Sequence, residues 1–130
     1  MSVAGLAAVG DYLLAQDGSG AWATHYVFNA SGAVTDQKEW NYYSREYAWD
    51  PGTSRVYFFR DNMSPDDLHY EVIDQATGKI SSTGETPYHG SYNIQTPIRV
   101  SVGGQYVLLG SGDIYNQSGL TWSGSLGSQV

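Results

Sequence analysis

One short turn is written three times in this chain, each time behind an alternating apolar run: FNASG at 28–32, DQATG at 74–78 and NQSG at 116–119. A recurrence of this kind constrains the fold more than any composition figure, because self-similarity at a fixed spacing is the mark of a repeat architecture. Upstream of the turns lie three further apolar runs, YLLAQ (12–16), VYFFR (56–60) and YVLLG (106–110), which begin 44 and 50 residues apart. Each follows its own turn (VGD, DPGTS and VGGQ), and before that turn stands another short apolar stretch. The unit therefore contains four strand-like pieces, and it occurs three times.

The units span approximately 6–40, 46–86 and 97–126. In the first, strands are expected near 6–9, 12–17, 24–30 and 34–40. In the second they are expected near 46–50, 55–61, 68–74 and 79–85, and in the third near 97–102, 106–111, 113–117 and 120–126. Asp50-Pro51-Gly52 is a turn by its chemistry, since Pro presets φ and Gly accepts the left-handed conformation. The third- and fourth-strand pieces of the first two units align at an offset of 44, which pairs His25-Tyr26 with His69-Tyr70. That repetition gives the two histidines a structural role. The tripeptides NAS, NMS and NQS satisfy the glycosylation sequon, but two of the three coincide with the repeated turn, where Asn and Ser serve the backbone.

Four antiparallel strands repeated every 40–50 residues resemble the blades of a β-propeller of the YVTN, WD40-like or quinoprotein-like kind. The resemblance rests on the apolar second strands and on the Asn/Asp turn closed by Gly32, Gly78 and Gly119. No GH…WD signature and no paired glycines of the kelch type accompany it. The fold class expected is thus all-β, with three blades in one domain; the alternative is a single β-sandwich. Propellers close with four to eight blades, so the resemblance implies a fragment of a larger propeller or half of a six-bladed homodimer.

In such a blade, the connections between strands 1–2 and 3–4 lie at one end, and those between strands 2–3 and between units lie at the other. The first end receives only short, Gly-rich hairpin turns. The second receives 17–23, 41–46, 61–67 and 87–96, and with them Trp22, Tyr42, Tyr43, Arg45, Asp61, Asn62, Asp66, Asp67, Tyr88, His89, Tyr92 and Asn93. Aromatic area and orienting polar groups on one loop face of a rigid scaffold suit recognition of a carbohydrate or a protein. The function expected is a non-catalytic binding or scaffold module. Its rivals are a fragment of a propeller enzyme whose catalytic residues lie in absent blades, and a purely structural self-assembling repeat.

Composition removes other classes. A formal charge of −7 with only six Lys and Arg offers no basic patch for nucleic acid or anionic membrane. With no cysteine, disulfides, Cys-ligated zinc and thiol nucleophiles are excluded. No apolar run reaches the 18 or so residues of a membrane span. No phosphate loop, dinucleotide fingerprint or nucleophile elbow occurs, so neither cofactor nor catalytic residue is expected. The oxygen-rich DNMSPDD (61–67) brings Ca²⁺ into consideration without the EF-hand spacing. The acidic, cysteine-free, Tyr- and Gly-rich composition suits an extracellular or periplasmic location.

Overall fold

The computed structural model describes residues 3–18, 24–39, 46–59, 67–87 and 94–126. Within them the chain is all-β and forms twelve strands in three four-stranded antiparallel sheets. Sheet 1 holds β1 (Val3–Val9), β2 (Tyr12–Asp17), β3 (Thr24–Phe28) and β4 (Val34–Glu39). Sheet 2 holds β5 (Ala48–Asp50), β6 (Arg55–Phe59), β7 (Leu68–Ile73) and β8 (Ile80–Glu85). Sheet 3 holds β9 (Ile98–Val100), β10 (Tyr106–Leu109), β11 (Asp113–Asn116) and β12 (Trp122–Ser125). Every sheet is a simple meander in chain order. The three stack in sequence, rather than forming the two layers of a sandwich, with first strand against first strand: β1 meets β5, β5 meets β9, and at the outer edge β4 meets β8.

The repeated turns are built by their side chains. Asn29 Oδ1 accepts from Ser31 N, Ser31 Oγ and Ala33 N, and Asp74 Oδ1 accepts from Ala76 N. Each turn then closes through a glycine at positive φ, 84° at Gly32 and 72° at Gly78, a conformation that costs a residue with Cβ far more than Gly.

Two apolar clusters hold the stack together. Between sheets 1 and 2 lie Val9, Leu14, Val27, Val56, Phe58 and Ile73. Between sheets 2 and 3 lie Tyr57, Phe59, Leu68, Ile94, Ile98, Val107, Leu109, Tyr115 and Leu120. Strand β6 belongs to both: Val56 and Phe58 face sheet 1, while Tyr57 and Phe59 face sheet 3. A strand covered on both sides reads as an unbroken apolar run rather than an alternating one, and VYFF is that run.

At the hairpin end, side chains clasp one sheet to the next. The Gln75 amide accepts from Asp11 N at 3.1 Å and donates to Val9 O at 3.2 Å, so the β7–β8 turn grips the β1–β2 hairpin. One junction on, Arg55 Nη1 donates to Gln117 O in the β11–β12 turn at 2.7 Å, with its guanidinium 3.9 Å from the Tyr70 ring centroid. Between β4 and sheet 2, Thr35 Oγ1 donates to Gly78 O and Ile80 N donates to Asp36 Oδ2, both at 2.8 Å.

Candidate functional site

The two seams differ in chemistry. The seam between sheets 2 and 3 buries the larger apolar cluster and carries its polar clasp, Arg55 to Gln117 O, at the hairpin end. The seam between sheets 1 and 2 is apolar only at the hairpin end. Toward the end where β2–β3, β4–β5, β6–β7 and β8–β9 are connected, it turns polar.

His25 stands at the centre of that polar half. It is the second residue of β3, faces sheet 2 and is fully buried. Its Nδ1–H donates to Glu71 with both carboxylate oxygens 3.0 Å away, and Nε2 is hydrogen-bonded to the Tyr47 hydroxyl at 2.8 Å. A carboxylate only accepts, and this places a proton on Nδ1. The imidazole stands edge-on to Phe58 with centroids 4.8 Å apart. Behind Tyr47 lies Gly5, where a Cβ would come within 2.8 Å of Tyr47 Cε2. Glycine there leaves room for the ring that holds the histidine.

His69 reaches the same seam from the opposite wall. Its ring stacks on Phe58 at 6.1 Å and 12°, and Nε2 lies 3.7 Å from Glu85 Oε2. His25 and His69, paired at an offset of 44 in the sequence, are therefore not equivalent positions: one faces forward from sheet 1 and the other backward from sheet 2. The turns Asn29–Gly32 and Asp74–Gly78 align instead at an odd offset of 45, and a one-residue slip moves a strand side chain to the other face.

Beside this cluster opens a cleft of about 270 Å³ lined by Lys38, Phe58, His69, Tyr70, Glu71, Thr83, Gly84 and Glu85. Lys38 comes from β4 of sheet 1, directly across from His25 in the ladder. Glu71 and Glu85 project from sheet 2, diagonal neighbours across β7 and β8. His25 itself does not reach solvent; it orients Glu71, and Glu71 lines the cleft. The cleft thus offers carboxylate acceptors on one wall and an ammonium donor on the other. This suits a hydrogen-bonding ligand more than an apolar one. Among the described residues no three His, Asp or Glu side chains converge as a metal site.

Of the twelve residues singled out in the sequence, Asp67 is described. It is buried at the start of β7 and accepts from Thr86 Oγ1 at 3.3 Å, while Leu68 N donates to the same hydroxyl at 3.2 Å. Trp22, Tyr42, Tyr43, Arg45, Asp61, Asn62, Asp66, Tyr88, His89, Tyr92 and Asn93 lie outside the described residues, as does the rest of the candidate Ca²⁺ segment at 61–66. The connections that carry them depart from the polar end of the seam. Sequence reasoning did not single out Lys38, Tyr47, Glu71 or Glu85. A signal existed for Glu71, which is a charged residue inside the apolar strand HYEVI. Comparison with protein families, with curated proteins and with solved structures finds no match.

Proposed function

We propose that this chain is a non-catalytic binding and scaffold module, an arc of three propeller blades that presents its loop end to a carbohydrate or a protein. The observation that carries the reading is the sense of the stacking. Sheet 1 packs its forward face on the backward face of sheet 2, and sheet 2 does the same on sheet 3, first strand beside first strand. Elements related in this way curve about the line of their first strands, as blades do about a propeller axis. A second copy, or further blades of a longer chain, completes the ring. Ligand recognition is assigned to the end toward which the sheet 1–2 seam turns polar, since the segments joining the strands at that end are rich in Tyr, Trp, Asn and Asp in the sequence.

Calorimetric titration against a panel of neutral and acidic oligosaccharides tests the carbohydrate arm. A Tyr42→Ala/Tyr43→Ala variant and a Lys38→Met variant report on loop and cleft. Saturable binding weakened by either variant is the expected result. Heat that is unchanged in both variants assigns recognition elsewhere and overturns this placement.

A further inference from the structure

The two outward faces of the stack are not finished as solvent surfaces. On sheet 1, the ladder pairs Leu6 with Ala15 and Ala15 with Tyr26, and pairs Leu13 with Phe28 and Phe28 with Val34. These rows point away from sheet 2. Leu6 is 59% and Val34 50% exposed. On sheet 3, Tyr106, Leu108 and Ile114 point away from sheet 2, with Tyr106 42% exposed. Exposed apolar side chains gathered on one sheet face point to an interaction site.

We infer that these two faces are complementary halves of one junction. The forward face of sheet 3 receives the backward face of sheet 1 from a second copy of this chain, twice over about a two-fold axis. This rests on the blade reading above and goes further by fixing which surfaces meet. Three observations identify the occupant as a second copy.

The first is polarity: both junctions inside the chain are forward-on-backward, and the faces left over are one of each kind. The second is the clasp. The β1–β2 hairpin is gripped by Gln75, and Arg55 beside the β5–β6 hairpin grips Gln117 O. Next to the third hairpin, Gln105, Tyr106, Asn116, Gln117, Ser118 and Thr121 border an open groove of about 490 Å³. The turn that belongs there by repetition is Asn29–Ala33 of the partner, in which Ala30 takes the place held by Gln75 and Gln117. The third is charge. The sheet 1 face carries Asp17 and Glu39 toward its loop end, whereas the sheet 3 face carries Arg99, whose side chain is 65% exposed even though it pairs with Glu46.

Mass in solution by light scattering tests this, with variants that separate the two faces. Wild type is expected at twice the 14.2 kDa chain mass. Leu13→Asp on the sheet 1 face and Leu108→Lys on the sheet 3 face each weaken dimerisation by roughly ten-fold or more, because each places a charge in the junction twice. Mixed in equal amounts, the two variants regain a dimer, because one of its junctions is unaltered and in the other the introduced acid meets the introduced amine. Val34→Asp replaces Leu13→Asp should circular dichroism show the latter unfolded. A wild-type monomer or trimer overturns the inference. So does a Leu108→Lys variant that stays dimeric alone, since the dimer then joins sheet 1 to sheet 1, or a mixture that stays monomeric. Ligand binding is read independently by calorimetry, so a monomer that still binds oligosaccharide sinks this inference and spares the recognition reading.

Discussion

Replacing His25 by Leu removes the one cation-capable partner that the Glu71 carboxylate has among the described residues. The imidazole lies 3.0 Å from both Glu71 oxygens, and the Glu71 side chain is only 3% exposed. Breaking a buried pair by deleting one member costs about 3–5 kcal/mol, since the survivor keeps its desolvation cost. Glu71 also lines the cleft, through which water approaches it, so the lower end of that range applies. Losing the Tyr47 hydrogen bond adds about 1 kcal/mol. A destabilisation of about 3–4 kcal/mol is therefore expected. A His25→Leu/Glu71→Leu double variant removes the stranded charge and restores most of the loss, to within about 1 kcal/mol of wild type, because an apolar pair of similar volume replaces the polar one. Urea unfolding at neutral pH, with unchanged m-values as the check on two-state behaviour, measures both. A single variant that costs under about 1 kcal/mol would refute the argument, as would a double variant no better than the single.

Gly5→Ala pushes a methyl to within 2.8 Å of the Tyr47 ring. It is expected to cost about 1–3 kcal/mol by overpacking, read as a lower urea midpoint. Gln75→Ala deletes both clasp bonds to Val9 O and Asp11 N. The expected cost is about 1–2 kcal/mol, with faster amide exchange at Asp11 than in β10. The Tyr57 phenol is held above its ordinary value of 10.0, chiefly by burial and against the lowering influence of Arg55. Above pH 10 the unfolded chain therefore releases a proton that the folded chain keeps, and stability falls as pH rises. Tyr57→Phe flattens that fall in urea midpoints measured from pH 8 to 11; an unaltered slope would show that the phenol does not contribute.

The strand pattern was legible to within a few residues. Runs such as YLLAQ and VYFF announce themselves by β-forming residues between turn glycines, and β2 was expected over the same residues, Tyr12–Asp17, that it occupies. The chemistry of the seam was less legible. His25 and His69 share a neighbouring Tyr, and that local match outweighed the turn alignment by one residue. In a helix such a slip rotates a side chain by about a quarter turn, whereas in a strand it carries it through the sheet. Glu71, Tyr47 and Lys38 come together from three strands or their approaches, and no spacing in the sequence records that meeting. The sheet 1 face was hidden for a related reason: the sequence marks Leu6, Leu13 and Val34 as apolar strand positions, and only the stacking shows that they lie on the face turned away from sheet 2.

Among the described residues the three sheets share no strand and no ladder, and the main contacts of each are with the sheet before or after it. Coupling in such a stack is nearest-neighbour, so cooperativity must pass through the seams one at a time. The seam between sheets 2 and 3 transmits it well, because it buries the larger apolar cluster, nine residues against six. The other seam ends in a polar cluster beside open space, and water can enter it at smaller cost. Sheet 1 is thus the element that detaches first, and slow amide exchange should concentrate in β6 and β10. A partner's sheet 3 docked on its outer face would reverse that order, which makes the free end of the stack the part whose folding answers to protein concentration.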